Sequence, residues 1–513
     1  MVATNSLNVQ FLSDLARGGF AERMTEEQRR DIHVKTDLDS FIEDSLDEGK
    51  QIVLTGNPGD GKTQYIYMKR DKYPDYFYLM DASEYRDYRE LLDEWEMSYD
   101  QGEPGILAIN DGPLFEMTAN YSDEYEFLPT VQRQFQSQIV YDDSEASDVD
   151  FSKIVVIDLN NRNVLTRKIV LQVIKKLTDE KFLENHDHTG ACHIQYNIQK
   201  LRNENVQENV KELLKTVGRT EDHVTVRDLI NFVAYCITGG ESECLTEFDE
   251  DMKYHNLAFD GEGKIFDLLN RHFSPTDLTH PFVDSKLWSQ AEENVSPRDS
   301  EDLRESISEE FLNLKRRFYF EDNSMDVDYS ARDVYHEIDY SFHNNRNSSN
   351  DNEEAKEDTI RKINGYFMPT SSERRYLNVW MSHRYRSRSS RSLISRTQVR
   401  KSDLSRKTPR LHPDIRDALA YVSDHYVLEY QQEHGSCVRL EINQDLSRAL
   451  SALDANTPYR IRDQETEQQL LEFMEEIEYL EEHSASTGEI SIKDTETEDI
   501  ETVEVEDKRY RIG

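Results

Sequence analysis

Residues 51 to 70, QIVLTGNPGDGKTQYIYMKR, decide the fold of this 513-residue chain. An apolar, strand-like run, QIVLT, leads into eight glycine-rich residues, and a segment of helical character follows them. The order strand, glycine-rich turn, helix is typical of the first unit of a parallel α/β sheet. Further apolar runs, each separated from the next by polar or helical stretches, lie at 76–80, 106–109 and 154–157. Because buried strands that alternate with helices favour parallel pairing, we predict an α/β fold of the P-loop type.

The glycine-rich loop, defined here as residues 56–63, satisfies the pattern G-x-x-x-x-G-K-[ST] at every fixed position. Its residues are Gly56, Asn57, Pro58, Gly59, Asp60, Gly61, Lys62 and Thr63. In this pattern the glycines let backbone amides face a triphosphate, and the next helix adds its positive end. Lys62 would reach the β and γ phosphates, and the Thr63 hydroxyl would ligate Mg²⁺. The alternative is a glycine-rich surface turn, against which the flanking strand and helix argue. The loop therefore predicts ATP and Mg²⁺ as cofactors.

Two acidic residues compete for the role of holding Mg²⁺ and orienting the attacking water. Asp111 follows the run at 106–109, and Asp158 follows the run at 154–157. Lys62, Asp111 and Asn160 are evenly spaced, and this progression resembles the AAA+ ATPases. The resemblance implies that Asp111 belongs to Walker B and that Asn160 or Asn161 is the sensor near the γ phosphate. We favour Asp111 as the acid that holds Mg²⁺. Asp158 remains the alternative for this role, and it is also a candidate nucleotide-binding residue.

The sequence departs from the AAA+ pattern in Walker B, and it contains arginines at places where that family has functional ones. The usual Walker B ends in Asp-Glu, whereas this one ends in Asn110-Asp111, so we expect hydrolysis that is slow or dependent on a partner. Arg227 resembles the sensor 2 arginine of the lid, and an exposed helix arginine is the alternative. Arg162 and Arg167 are candidate fingers into a neighbouring subunit of a homo-oligomer, although surface salt bridges explain them more simply.

Composition and periodicity suggest five regions. They are an N-terminal helical segment (1–50), a P-loop core (51–185), a helical lid-like subdomain (186–300), a connecting region (301–375) with a polar linker at 343–358, and a mixed α+β C-terminal domain (376–513) that contains a basic segment at 383–410. Within the lid-like region, Thr225 and Asp228 have the spacing of a capping box, and Gly239 marks a helix end. A cluster of His186, His188, Cys192 and His193 is compatible with zinc, but no second half of a zinc motif adjoins it.

The formal net charge of −42 excludes nonspecific polyanion binding by the whole surface. The basic segment is the local exception. Its candidate DNA-binding residues are Arg384, Arg386, Arg388, Arg391, Arg396, Arg400 and Lys401, with Trp380 and Tyr385 as candidate base-stacking groups. The competing interpretation is that this segment docks on acidic groups of the same chain or of a partner.

The acidity, spread along the chain, suggests adaptation to high salt in the cytoplasm. Four scattered cysteines and the absence of a long apolar run or secretory signal also favour a cytoplasmic protein and no membrane partner. Salt screens repulsion between carboxylates, so the melting temperature is expected to rise between low and molar KCl. A flat or falling melting temperature across that range, measured by differential scanning calorimetry, would contradict the adaptation.

The sequence also resembles one family in particular, the DptF-like AAA+ ATPases of DNA phosphorothioation-dependent restriction systems. The resembling stretches are GNPGDGKT, ILAINDGPL, IVVIDLNNRN, ACHIQYNIQKL, VTVRDLINFVAYCITGG and YHNLAFDGEGKIFDLL. The resemblance implies an ATP-binding and ATP-hydrolysing subunit that works with other restriction subunits against DNA without the sulfur modification. The alternative is a nucleotide-dependent switch or scaffold with little hydrolysis.

Overall fold

The chain folds as two units in a computed structural model. Unit 1 comprises Met1–Arg332 and Arg410–Val422, and unit 2 comprises Asp333–Pro409 and Ser423–Gly513. The described residues are 7–18, 24–82, 85, 87–138, 150–184, 186, 192–217, 223–243, 250–272, 274–277, 280–295, 303–321, 349–368, 371–384, 391–407, 411–421, 425–431, 437–451, 464–481, 489–494, 500–506 and 509–512. No helix in these stretches combines the length and the hydropathy needed to cross a bilayer.

Unit 1 contains four strands and most of the helices. In chain order its elements are α1 (Val9–Ala16), α2 (Glu26–Ile32), α3 (Asp37–Asp47), β1 (Gln51–Thr55), α4 (Lys62–Arg70), β2 (Phe77–Leu79), α5 (Tyr88–Gln101), β3 (Gly105–Ala108), α6 (Asp111–Tyr121), α7 (Leu128–Ser137), β4 (Ile154–Asp158), α8 (Arg167–Leu177), α9 (His193–Leu201), α10 (Glu204–Val217), α11 (Val226–Thr238), α12 (Tyr254–Asp260), α13 (Lys264–His272), α14 (Pro281–Asn294) and α15 (Leu303–Glu321). The predicted apolar runs are confirmed as these strands.

The four strands form one parallel sheet in the order β2-β3-β1-β4. Leu54 lies opposite Ala108 on one side, and Thr55 lies opposite Asp158 on the other. The predicted α/β class with a parallel sheet is therefore confirmed. Because β1 lies between β3 and β4, the residues that follow both neighbours come out beside the glycine-rich loop.

Both faces of this sheet are covered, which explains why its strands are apolar throughout rather than alternating. Leu38, Ile42 and Leu46 of α3 are fully buried on one face together with Ile52 and other strand residues. The opposite face packs against α5, α6 and α7, with Trp95 at its centre. Helix α3, which lies in the N-terminal helical segment predicted ahead of β1, is thus one cover of the sheet.

Gln134 of α7 and Gln138, the C-cap of that helix, complete the hydrogen bonding of β4, which is an edge of the described sheet. Gln134, fully buried, donates to the Ile154 carbonyl at 2.8 Å and accepts from the Val156 amide at 2.7 Å. Gln138 accepts from the Asp158 amide at 3.1 Å. These bonds fix the strand end that carries Asp158, because buried backbone groups need partners.

Gln134→Ala is expected to reduce the free energy of unfolding by about 3 kcal/mol, because it leaves buried backbone groups of β4 unpaired. Denaturant unfolding monitored by circular dichroism measures this loss. The matched control is Gln136→Ala, an exposed position on the same helix, which is expected to stay within about 0.5 kcal/mol of the wild type. Equal effects from the two variants would contradict the role given to Gln134.

Helix α11 begins as its sequence predicts. Thr225 Oγ1 accepts from the Asp228 amide at 3.2 Å, and the Asp228 carboxylate accepts from the Thr225 amide at 2.9 Å. The helix ends at Gly239, whose φ of +59° is left-handed. The capping box and the glycine stop are both confirmed, so the start of α11 is fixed within one residue.

Unit 2 is built from antiparallel sheets and helices. In chain order the remaining elements are α16 (Ser349–Phe367), β5 (Tyr376–Arg384), β6 (Arg391–Arg400), β7 (Leu404–Lys407), α17 (Pro413–Ala418), which belongs to unit 1, β8 (Tyr426–Gln431), β9 (Cys437–Ile442), α18 (Gln444–Ser451), α19 (Gln464–Glu481), β10 (Glu489–Asp494), β11 (Ile500–Glu506) and β12 (Arg509–Ile512). The sheets have the orders β12-β11-β10-β6-β5 and β7-β8-β9. The predicted mixed α+β character of the C-terminal region is confirmed.

Helix α16 corrects the linker predicted at 343–358. Residues 349–358 are helical, while 343–348 lie outside the described residues. The polar composition concealed an amphipathic helix whose C-terminal half buries Ile360, Ile363 and Phe367 in the core of unit 2. Lys356, paired with Glu353 at 2.7 Å, extends that helix through the polar part. The helix belongs to unit 2, so the predicted division at 375/376 does not separate the units.

Candidate functional site

The glycine-rich loop connects β1 to α4 in a conformation that depends on its glycines. Gly56, Gly59 and Gly61 have φ values of +130°, +109° and +88°, which side chains with a Cβ rarely adopt. At Gly59 a Cβ would also lie 3.1 Å from Thr225 Oγ1. Gly61 is the N-cap of α4, so the positive end of that helix opens into the loop. The loop has the shape and the dipole of an anion site.

Lys62 places its ammonium inside the loop. Its Nζ donates to the carbonyls of Gly56 at 2.6 Å and Asn57 at 2.9 Å, and the residue is buried. Burial is the largest influence on its pKa and lowers it. The carboxylates that oppose this effect are, in decreasing order, Asp60, Asp111, Asp81 and Asp158. No carboxylate in the described residues forms an ion pair with this ammonium, so the charge is available to an anion.

Asp111 and Asn160 are in direct contact; the AAA+ resemblance implies Walker B for Asp111 and the sensor role for Asn160 or Asn161. Asn160 Nδ2 donates to Asp111 Oδ2 at 2.5 Å, and Thr55 Oγ1 donates to Asp111 Oδ1. Asn160 lies in the short helical turn that follows β4, and Asp111 begins α6 after β3. The Oδ1 atom of Asn160 is buried and has no hydrogen-bond partner among the described residues. A buried acceptor left unpaired is costly unless a ligand or water satisfies it.

Asp158 closes the other side of the loop at the end of β4. Its Oδ1 accepts from the Asn160 amide at 2.9 Å, and Asn161 Nδ2 lies 3.4 Å from its Oδ2. Burial, and then the nearby Asp111 carboxylate, raise the pKa of Asp158 to about 6. Both acids flank the loop because their strands flank β1, so either is placed to serve it.

Asp158→Asn is expected to stabilise the ligand-free protein near pH 8 by about 2–3 kcal/mol, because it removes a buried charge. A carboxyl pKa that is higher in the folded chain stabilises the fold at low pH, and this stabilisation is lost as the pH rises through about 6. The gap between variant and wild type should therefore close towards pH 4. Urea unfolding of both proteins across this range measures it. A gap independent of pH would show that the carboxyl is not the cause.

The residues fit Mg²⁺ together with a triphosphate better than they fit a bare metal ion. The described residues contain no group of three His, Cys, Asp or Glu side chains that could hold a metal ion. Mg²⁺ in such sites needs only one or two protein oxygens, since phosphates and water supply the others. Thr63 provides a hydroxyl whose present partner, the Met80 carbonyl, is 3.5 Å away. The Lys62 ammonium is held by two neutral carbonyls, and Asn160 Oδ1 has no hydrogen-bond partner among the described residues.

A cavity of about 110 Å³ adjoins the loop on the side of α11. Its walls include Gly59, Asp60 and Gly61 of the loop and Arg227 of α11. The remaining walls are mainly apolar or aromatic and come from Met24, Ile32, His33, Val34, Tyr65, Val226 and Ile230, with Arg29, Gln64 and Arg162. Arg227, predicted as a sensor arginine, therefore lies beside the loop.

The two candidate finger arginines differ in their surroundings. Arg162 is buried, with Nη2 donating to Thr36 Oγ1 at 3.3 Å and its guanidinium 5.7 Å from the centre of the Tyr65 ring. A residue held inside its own subunit cannot reach into a neighbour, so the finger interpretation of Arg162 is wrong. Arg167 is exposed and pairs with Glu208 at 2.7 Å, as the simpler alternative predicted.

The described members of the histidine cluster form no group of three side chains that could hold a metal ion. Cys192 Sγ lies 3.5 Å from His186 Nε2 and caps α9 by accepting from the Gln195 amide. His193 is buried and lies 3.2 Å from the Thr238 carbonyl, and burial lowers its pKa. His188 lies outside the described residues. The three described members are thus occupied by capping and packing contacts, and they give no support to zinc.

Several residues of the basic segment contact acidic or aromatic side chains of unit 2. Lys401 pairs with Glu357 at 2.5 Å, and Lys407 pairs with the buried Glu429 at 2.7 Å. The guanidinium of Arg406 lies 3.9 Å from the centre of the Tyr426 ring. These contacts favour docking on the same chain over DNA for this part of the segment.

The strand positions of the segment leave fewer candidates for DNA contact. Arg384 and Arg391 are opposite one another in the β5–β6 pairing, Arg396 also lies on β6, and Arg400 is exposed at its end. Arg386, Arg388 and Tyr385 lie outside the described residues. Trp380 is fully buried and packs on Phe367 at 5.8 Å between ring centres. The prediction that Trp380 stacks on bases is wrong, because a β-bulge between Val379 and Trp380 turns it into the core.

Comparisons with protein-family models, curated proteins and solved structures find no match for this chain. The functional argument therefore rests on the geometry around the glycine-rich loop.

Proposed function

We propose that unit 1 binds ATP with Mg²⁺ and hydrolyses it. One observation carries this proposal: the Lys62 ammonium lies within a loop of left-handed glycines, between two strand ends that present Asp111 and Asp158. A concentration of amide dipoles, one ammonium and two nearby carboxylates suits a polyphosphate with its cation. A glycine-rich turn without a ligand would have no need to bury a lysine among carboxylates.

Each residue then has a definite task. The loop amides and the N-terminus of α4 hold the phosphates, and Lys62 moves its hydrogen bonds from carbonyls to phosphate oxygens. Mg²⁺, when bound, neutralises charge on the terminal phosphates. Thr63 and one of the two acids hold this ion. Asp111, fixed by Thr55 and Asn160, orients water, and the Oδ1 atom of Asn160 can accept a hydrogen bond from that water.

The cavity beside the loop supports a nucleoside over a plain polyphosphate as the ligand. Its walls combine aliphatic side chains with the rings of His33 and Tyr65, which suits a flat, weakly polar base. Arg227 stands between this cavity and the loop, where a guanidinium can contact phosphate. The cavity shares Gly59, Asp60 and Gly61 with the loop, so a base in it would lie next to the phosphate site.

Isothermal titration calorimetry of the full chain with Mg-ATP tests the proposal. Saturable binding that weakens when EDTA removes Mg²⁺ is expected, together with phosphate release in a coupled assay. Absence of heat with folded protein at high ATP concentration would refute nucleotide binding.

A second candidate function is a nucleotide-dependent switch. The supporting observation is Asn110 at the usual place of the first Walker B acid, which leaves one carboxylate at the end of β3. A switch would bind ATP and change its assembly or shape without turnover. Phosphate release that increases with DNA or a partner would favour the ATPase, whereas a change in sedimentation with ATP alone would favour the switch.

The place of this activity in a restriction system that discriminates unmodified from phosphorothioate-modified DNA rests on the sequence resemblance alone. The proposal therefore includes partner subunits, which could supply the missing stimulation of hydrolysis. ATPase assays with unmodified and phosphorothioate-modified DNA in the presence of those subunits would test it. Equal rates with the two DNAs would count against discrimination at this subunit.

A further inference from the structure

The glycine-rich loop carries its own carboxylate, which an anion site does not need. Asp60 is 2% exposed, and its Oδ2 accepts from the Asn57 amide at 2.7 Å. Its Oδ1 lies 2.6 Å from Nε2 of His223, a residue far along the chain whose side chain is 15% exposed. The loop and the segment ahead of α11 are therefore joined by a buried carboxylate–imidazole contact.

This carboxylate opposes the binding of a polyphosphate unless its charge is balanced. Among the carboxylates that act on Lys62, Asp60 has the largest effect, and it also acts on Asp158. A buried negative charge repels an incoming phosphate more strongly than an exposed one would, because little water screens it. The protonated form of His223 would act on Asp158 in the opposite direction.

We propose that His223 is a positioning residue that holds the Asp60 carboxylate against the Asn57 amide and balances its charge, so that the loop accepts a triphosphate. This inference rests on the proposed nucleotide binding. The same short segment also shapes the site, since Thr225 borders Gly59 and Arg227 lines the cavity. Residues 223–227 thus supply both charge and shape to the loop.

If His223 compensates the charge of Asp60, its contribution to the binding affinity must increase with the number of phosphates in the ligand. His223→Gln keeps a hydrogen-bond donor but loses the charge, and it is expected to weaken ATP binding about tenfold and ADP binding less, with AMP nearly unchanged. His223→Lys restores a positive charge and should recover part of the ATP affinity. Adding Asp60→Asn to His223→Gln removes the charge that needs balancing and should bring ATP binding back towards the wild type.

Calorimetry with ATP, ADP and AMP on these variants tests the inference, with thermal melts to confirm folding. The controls are His280→Gln, at the N-cap of α14, and Asp75→Asn, an exposed carboxylate after α4. Equal weakening for all three nucleotides, or no rescue in the double variant, would show a merely structural contact and overturn the inference. Wild-type affinity of His223→Gln for ATP would overturn it too. Failure of the wild type itself to bind ATP would instead refute the proposed function, and the inference with it.

Discussion

Lys62→Ala is expected to abolish detectable Mg-ATP binding, with a loss of affinity of at least about 100-fold, or ~3 kcal/mol. The substitution removes the ammonium that would bond to phosphate oxygens. It also removes the positive charge that acts on the surrounding carboxylates, so that the site repels the ligand. Calorimetry at matched protein concentration measures the loss.

The fold should survive this change. The variant loses two hydrogen bonds from the ammonium to carbonyls, but it no longer has to bury a charged group. Lys72→Ala is the matched control. It removes an exposed lysine just beyond the same helix, where the partner is Glu43 at 2.9 Å, and it should leave ATP affinity unchanged. If Lys62→Ala binds ATP as tightly as this control, the loop is not the phosphate site.

The elements around the loop could be predicted from sequence because their signals are local. Helix α3 shows its apolar stripe, α11 its capping box and glycine stop, and β1 its apolar run. The order of the strands could not be predicted, since parallel buried strands have interchangeable patterns and only tertiary packing places β1 between β3 and β4. This order determines that both candidate acids adjoin the loop.

Contacts between distant residues were the part of the site that sequence could not reveal. Asp111 and Asn160 each follow a strand of one sheet, and the structure brings their side chains into contact, while their roles in hydrolysis stay a prediction. Nothing in the sequence connected Asp60 with His223, since no periodicity links a loop residue to the start of a remote helix. The burial of Trp380 was hidden for a similar reason: a bulge interrupts the alternation from which exposure is inferred.

Asp111→Asn is expected to leave ATP binding within about threefold of the wild type and to lower turnover at least about 100-fold. Asparagine has nearly the same shape, and its oxygen can still accept from Thr55, although its amide nitrogen cannot accept from Asn160. The lost charge is the one that would orient water and help to hold Mg²⁺. Single-turnover phosphate release at saturating ATP measures the chemical step apart from binding.

Asp158→Asn is the discriminating comparison, because it removes the competing acid from the other flank of the loop. Normal turnover in Asp111→Asn with loss in Asp158→Asn would transfer the Mg²⁺ role to Asp158. A second readout does not depend on turnover: the Asp111 carboxylate contributes to raising the pKa of Asp158, so that pKa should fall in Asp111→Asn. The pH range over which Asp158 destabilises the ligand-free fold begins at the unfolded pKa in both proteins, so in Asp111→Asn it should end at a lower pH and the total loss of stability should be smaller. An unchanged pH range would mean that the charge of Asp111 does not act on Asp158. The placement of both acids around Lys62 would then have no functional meaning.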